Sequence, residues 1–125
     1  MFDQDIHTPV FMQIAQRIRA GIAAGVHQSG ELLPSVRNLA IELVVNPNTV
    51  QRAYEELERE GLVRSRRGLG VVVTASAPDL AEARIEDSIC QHFATGVRLG
   101  RMAGVTGPRL QELFDDTRNV KAPVS

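Results

Sequence analysis

The chain has 125 residues, a formal net charge of −1 and a single cysteine. That length holds one domain, or one small domain with an appendage, and the near-neutral charge excludes polyanion binding by bulk basicity while leaving room for a local basic face. With 43% hydrophobic and 23% charged residues, wholesale disorder is excluded as well.

A lone Cys90 cannot build an intrachain disulfide framework. The start, Met1-Phe2-Asp3-Gln4-Asp5, is acidic and lacks the apolar core of a signal peptide. The longest apolar runs, Leu43-Val44-Val45 and Leu69 through Val73, are far too short to span a membrane. These features predict a cytoplasmic chain with no membrane partner. Every basic residue except Lys121 is arginine. Genome base composition accounts for that bias, yet arginine is also the better fork for phosphates and guanine edges.

The first helix follows Thr8-Pro9. Val10, Ile14, Ile18 and Ile22 recur every four residues, and Phe11 and Ala15 widen the stripe. Thr8 is placed to cap it, Pro9 suits the first helical position, and Gly25 stops it. Arg17 and Arg19 fall off the stripe. A loop with Gly25 and Gly30 leads to Leu33-Pro34-Ser35, where a short second helix begins with Val36, Leu39, Ala40 and Leu43 inward. Asn46-Pro47 then opens a third helix to about Glu60, with Asn46 as cap. Its buried stripe is Val50, Ala53, Tyr54 and Leu57, and Gly61 ends it. The segment 62–66 reads as a strand, 67–70 as a turn and 71–74 as a second, β-branched strand. Two helices joined by a tight turn and followed by a hairpin describe a winged helix-turn-helix.

Composition shifts at Thr74-Ala75-Ser76-Ala77-Pro78, which reads as a linker. The division predicted is residues 1–75 as a winged helix-turn-helix and 76–125 as a helical tail. In the tail, Asp79-Leu80-Ala81-Glu82 is a capping box for a helix to about Gly96. Ile85, Ile89, Phe93 and Val97 form its stripe, with Cys90 expected as a small buried residue. Thr106 and Pro108 start a last helix holding Leu110, Leu113 and Phe114. Two such helices cannot make their own core, so those seven apolar residues are expected to form a dimer contact, with docking onto the chain's own domain as the alternative. The fold class is mainly α with a small β-hairpin wing (α+β).

Taken together, Pro9-Val10-Phe11-Met12-Gln13-Ile14, Gly25, Leu33-Pro34-Ser35-Val36-Arg37-Asn38-Leu39-Ala40, Val45-Asn46-Pro47-Asn48-Thr49-Val50-Gln51-Arg52-Ala53-Tyr54-Glu55-Glu56-Leu57-Glu58 and Arg66-Arg67-Gly68-Leu69-Gly70 resemble the GntR family of bacterial transcription regulators. The short helical tail looks like its YtrA-like subfamily. Three positions depart from the usual pattern. Val44 stands where a turn glycine is common, so a left-handed turn there costs about 1–2 kcal/mol. Pro47 and Gln51 stand where some members carry arginine. Phe11 replaces the commoner tyrosine.

The resemblance implies a sequence-specific regulator, a dimeric repressor on a palindromic operator, with no enzyme activity and no cofactor. A winged-helix adaptor without DNA binding is the alternative. On the third helix, Asn48 and Gln51 can pair with adenine, Arg52 with guanine, and Thr49 with phosphate or a thymine methyl. Asn46 joins the same set. Ser35 and Arg37 suit phosphate at the second helix's start, although a surface ion pair is the alternative for Arg37. Arg64, Arg66 and Arg67 around Gly68 and Gly70 can approach the backbone or minor groove, or simply blunt a hairpin edge. The acidic run Glu55, Glu56, Glu58 and Glu60 reads as a solvated face, with Glu55–Arg59 and Arg52–Glu56 pairs. No spacing near Cys90, His92, His7 or His27 has the form of a metal site. The effector, if one exists, is unknown; a tail this short encloses no pocket within one chain, which places any effector at a dimer interface.

Overall fold

The computed structural model describes residues 7–119; the readings placed on residues 1–5 and on Lys121 lie outside them. The elements in chain order are α1 (Val10–Ala23), α2 (Val36–Leu43), α3 (Pro47–Arg59), β1 (Val63–Arg66), β2 (Gly70–Val73), α4 (Ala77–Met102) and α5 (Gly107–Arg118). The chain forms two compact units, Met1–Ile85 and Glu86–Ser125.

The first unit is built on the predicted stripes. Ile14, Ala15, Ile18 and Ile22 of α1 meet Val50, Ala53, Tyr54 and Leu57 of α3, with Leu39 and Ala40 of α2 alongside. Burying an Ile or Leu side chain fully is worth about 1.5–3 kcal/mol, so these positions supply most of the unit's driving force. The Tyr54 hydroxyl donates to the Pro34 carbonyl at 2.6 Å, which seats α3 on the segment before α2. Burial, with the Glu42 carboxylate nearby, pushes that phenol up to about 12.

Side chains cap α3, as expected of Asn46, and also α2, but none caps α1. The Ser35 hydroxyl accepts from Asn38 N at 3.1 Å, and Asn46 Oδ1 accepts from Asn48 N at 2.8 Å. At α1, Pro9 occupies the flanking position rather than the first helical one, and no side chain caps the helix. The Pro9 carbonyl accepts from Met12 and Gln13 N instead, and Gln13 Nε2 donates to the Thr8 carbonyl at 2.9 Å. The turn between α2 and α3 puts Val44 at φ 56°, ψ 52°, a left-handed conformation unusual for a β-branched residue.

The hairpin pairs Val63 with Val73 through to Arg66 with Gly70. A third strand-like segment, expected only as loop, borders it. Leu32 bridges to Val72, Gly30 N donates to the Val73 carbonyl, and Leu33 N donates to the Val71 carbonyl. Pro34 ends this segment, and so short a run carries no strand signal of its own.

The tail starts differently from the capping-box expectation. Helix α4 begins at Ala77, so Asp79 lies in its first turn, where a negative charge still favours the helix. Ala77 and Ala81 are fully buried in the core of the first unit. Packing, not the Asp79 side chain, therefore fixes the start. The composition break at residue 75 is not where the packing divides, because the first unit runs on to Ile85. Gly96 does not end α4 either; the helix continues to Met102 and stops at Gly104, φ +73°.

In the second unit, Thr106 caps α5 through Arg109 N at 3.3 Å. A Cβ at Gly100 would lie 2.8 Å from Leu110 Cδ2, so a larger residue there would displace the Leu110 side chain. Phe93 and Phe114 meet edge to face, ring centroids 5.6 Å apart. Phe93 (55% exposed), Ile89, Val97, Leu113 and Phe114 nevertheless remain exposed, with Leu110 half-buried. Ile85 is half-buried and belongs to the first unit. Cys90 is exposed, which corrects the buried reading, because it lies in the stretch 89–99 of α4, where every residue is exposed.

The helix-turn-helix turn and the α3 cap can each be tested by stability. Val44 is 81% exposed and packs on little, so Val44→Gly relieves strain without opening a cavity. It is expected to raise unfolding stability by about 1 kcal/mol in urea titration, and an unchanged or lower value would show the turn to be unstrained. Asn46→Ala is expected to cost about 1 kcal/mol, and Asn46→Asp to keep most of it. Equal losses for both would mean that Oδ1 does not carry the cap.

Candidate nucleic-acid interface

The surface of interest starts with what α3 buries. Its apolar stripe is turned inward, which leaves Asn48, Gln51 and Arg52 exposed and Thr49 half-buried over the first two turns. Asn46 sits beside them, but its Oδ1 is committed to the helix cap. Gln51 Nε2 donates to Glu55 Oε1 at 3.2 Å, a contact on the helix surface that a better acceptor can displace. Ser35 opens α2 with its hydroxyl accepting from the backbone, and exposed Arg37 follows in the first turn. No ion pair engages Arg37 among the described residues, so the surface-pair alternative does not hold there.

Arg52 behaves differently from expectation. It does not pair with Glu56; its guanidinium lies over the Phe11 ring, 3.9 Å from the centroid. Glu56 is engaged by Arg59 instead, three residues along, so the Glu55–Arg59 pair does not form either. The partner of Arg52 is far away in sequence, and only the packing of α1 on α3 brings it there.

The rest of the acidic run is not simply a solvated face. Glu58 Oε2 accepts from Ser65 N at 3.1 Å, and its Oε1 accepts from the Ser65 hydroxyl at 3.4 Å. That carboxylate fastens β1 to α3. Glu60 accepts from Arg19 Nε at 2.8 Å and Nη2 at 2.6 Å, and it pairs with Arg84 Nε at 2.9 Å. These two glutamates hold the elements around the site although the sequence marks them only as part of a solvated acidic face; their partners lie on β1, α1 and α4, outside any helical spacing rule.

In the wing, strand alternation puts Val63 and Ser65 on the α3 side. Arg64 and Arg66 take the other face, where they line a shallow groove of about 580 Å³ with Ser29, Gly30 and Ser76. Arg67, Gly68 and Leu69 form the tip, closed by Leu69 N donating to the Arg66 carbonyl at 3.0 Å. Gly68 at φ +77° and Gly70 at φ +125° hold conformations that side chains resist. A Cβ at Gly70 would also approach Leu32 to 3.2 Å. The three wing arginines are exposed and carry no ion pair among the described residues. The chemistry on offer is therefore four polar helix side chains next to uncompensated cations, a combination suited to base edges and phosphates. No helix among the described residues is long and apolar enough to cross a membrane.

Comparison with known proteins agrees with this geometry. Residues 12–73 match the family described as "Bacterial regulatory proteins, gntR family". The HTH-type transcriptional repressor YtrA of Bacillus subtilis is 44% identical over 70 residues, which are 56% of this chain and 54% of that protein. This chain thus spans about half the length of YtrA. The uncharacterized HTH-type transcriptional regulator YhcF of Bacillus subtilis is 36% identical over 105 residues, 83% of this chain and 85% of that one. A GntR family transcriptional regulator from Listeria monocytogenes superposes with a TM-score of 0.74 at 30% identity, over 96% of this chain and 100% of that one. An ordered set of motifs, a winged helix-turn-helix and relatives that align along most of the chain lead to one conclusion: the chain belongs to the gntR family of bacterial regulatory proteins.

Proposed function

We propose that this protein is a dimeric, sequence-specific DNA-binding repressor that occludes a promoter by occupying a palindromic operator. The observation that carries the reading is the exposed first half of α3, with Asn48, Thr49, Gln51 and Arg52 on the side away from the core. In the proposed complex this half enters the major groove. Asn48 and Gln51 read adenine, Arg52 reads guanine, and Thr49 contacts a phosphate or a thymine methyl. Asn46, with its Oδ1 in the cap, contributes through its amide nitrogen. Ser35 and Arg37 hold the backbone at the start of α2. Arg67 and Gly68 at the wing tip, with Arg64, Arg66 and Gly70 behind them, lie on the backbone or in the minor groove.

Dimerisation is assigned to the tail. The face made by Ile89, Phe93 and Val97 of α4 with Leu110, Leu113 and Phe114 of α5 is largely exposed, and Ile85 continues its four-residue spacing. A two-helix unit is too small to bury such a face within itself, and a two-fold protein matches a palindromic site. Repression is supported by the name of the YtrA relative, which is called a repressor. Any effector would act at this interface.

Two measurements test the reading. Arg66→Ala with Arg67→Ala is expected to weaken all duplexes alike and flatten the salt dependence of log K by about two, one for each phosphate that is no longer neutralised. An unchanged slope would take the wing off the backbone, and a wild-type chain with no preference among duplexes would favour a protein-binding adaptor. Phe93→Asp is expected to convert the dimer to a monomer in sedimentation while the winged unit stays folded by circular dichroism. A dimer that survives Phe93→Asp, or a wild-type chain that sediments as a monomer, would remove the tail face from the proposal.

A further inference from the structure

We propose that Phe11 is a positioning residue for operator reading, an aromatic platform on α1 that holds Arg52 of α3 ready for a base edge. The inference rests on the reading of α3 as the groove-reading helix. The Arg52 guanidinium lies 3.9 Å from the Phe11 ring centroid, within the range of a cation–π contact. Phe11 is half-buried and packs against the hydrophobic core of the first unit, so its position is set by the fold. One side of the ring is anchored and Arg52 covers another.

The acceptors that would otherwise capture Arg52 are engaged elsewhere. Glu56, one helical turn on, is held by Arg59, and Glu55 accepts from Gln51. No hydrogen bond or ion pair engages Arg52 among the described residues. A stacked guanidinium keeps its N–H donors around the edge of the plane, so the contact with Phe11 orients the fork without consuming a donor. An exposed arginine without such a platform samples many rotamers and gives up that freedom on binding; here part of that cost is already incurred in the free protein. Phe11 thereby affects one operator position through Arg52, with no DNA contact of its own.

The test uses the full-length protein and duplexes randomised at the operator. Arg52→Gln identifies the base pair that Arg52 reads. Phe11→Leu keeps the apolar bulk and removes the ring. It is expected to reduce preference at that same base pair about threefold, the size of an exposed cation–π contact, with the other positions and the salt slope unmoved. Phe11→Tyr and Phe11→Trp restore the preference, and Phe11→Leu adds nothing in an Arg52→Gln background. Phe11→Met provides the same comparison should Phe11→Leu fail to fold. A uniform loss over all duplexes, an unchanged preference, or failure of both aromatic variants to restore it overturns the proposal. A wild-type chain without sequence preference refutes the groove reading itself, whereas a selective wild type undisturbed by Phe11→Leu refutes only the platform.

Discussion

One carboxylate joins three elements that the apolar core of the first unit packs together. Glu60, at the C-terminal end of α3, has a side chain only 5% exposed, and it accepts a two-pronged contact from Arg19 and a third contact from Arg84. A single group thus ties the end of α3 to α1 and to the first turns of α4. Desolvating that carboxylate is costly, and the Arg19 fork offsets the cost only because both of its donors are satisfied at once. Arg84 is more than half exposed, so solvent screens its share and Arg19 carries most of the pairing. Removing Arg19 would leave a nearly buried charge with one weak partner, a change of about 3–5 kcal/mol for pairs of this kind.

This anchoring explains how a chain of net charge −1 presents a cationic edge. Residues 1–75 hold as many acids as arginines, so no excess of positive charge exists to be spread over a surface. The glutamates between residues 55 and 60 are instead each engaged, Glu55 by Gln51. Glu60 takes Arg19 and Arg84, Glu58 takes the backbone and hydroxyl of Ser65, and Glu56 takes Arg59. Arg37, Arg52, Arg64, Arg66 and Arg67 remain without ion pairs among the described residues. The placement of partners, not the count of charges, decides the local field.

Much of this was legible in the sequence, for identifiable reasons. Asn46-Pro47 announced α3 because a cap and a proline at the first position are both local chemistry. The four-residue apolar spacing marked the inward faces of α1 and α3, since helical periodicity needs no knowledge of the partner. What was not legible depends on distant residues. The strand-like segment around Leu32 exists only because β2 offers an edge to pair with. The start of α4 moved to Ala77 because Ala77 and Ala81 are drawn into the core, and no cap signal encodes that. Phe11 and Glu60 gained their roles from partners on other helices, Arg52 and Arg19, that i to i+4 reasoning cannot find. The roles of Asn48, Gln51 and Arg52 were suggested by constellation and resemblance; the fold supplies their exposure.

A near-neutral winged domain also sets the terms for the tail. Each good bidentate base contact discriminates by about 1–3 kcal/mol, and a single head offers only a few such side chains at the start of α3. Association itself costs about 4–15 kcal/mol in reduced freedom of motion, against which one weakly charged head has little surplus. Joining two heads makes the second binding event intramolecular, at an effective concentration in the millimolar range for short connections. In the proposed dimer, specificity multiplies across half-sites, while attraction to random DNA stays low because neither head carries excess charge. The exposed Phe93 and Phe114 face is, in the proposed dimer, as necessary to operator recognition as the side chains at the start of α3, although it touches no base.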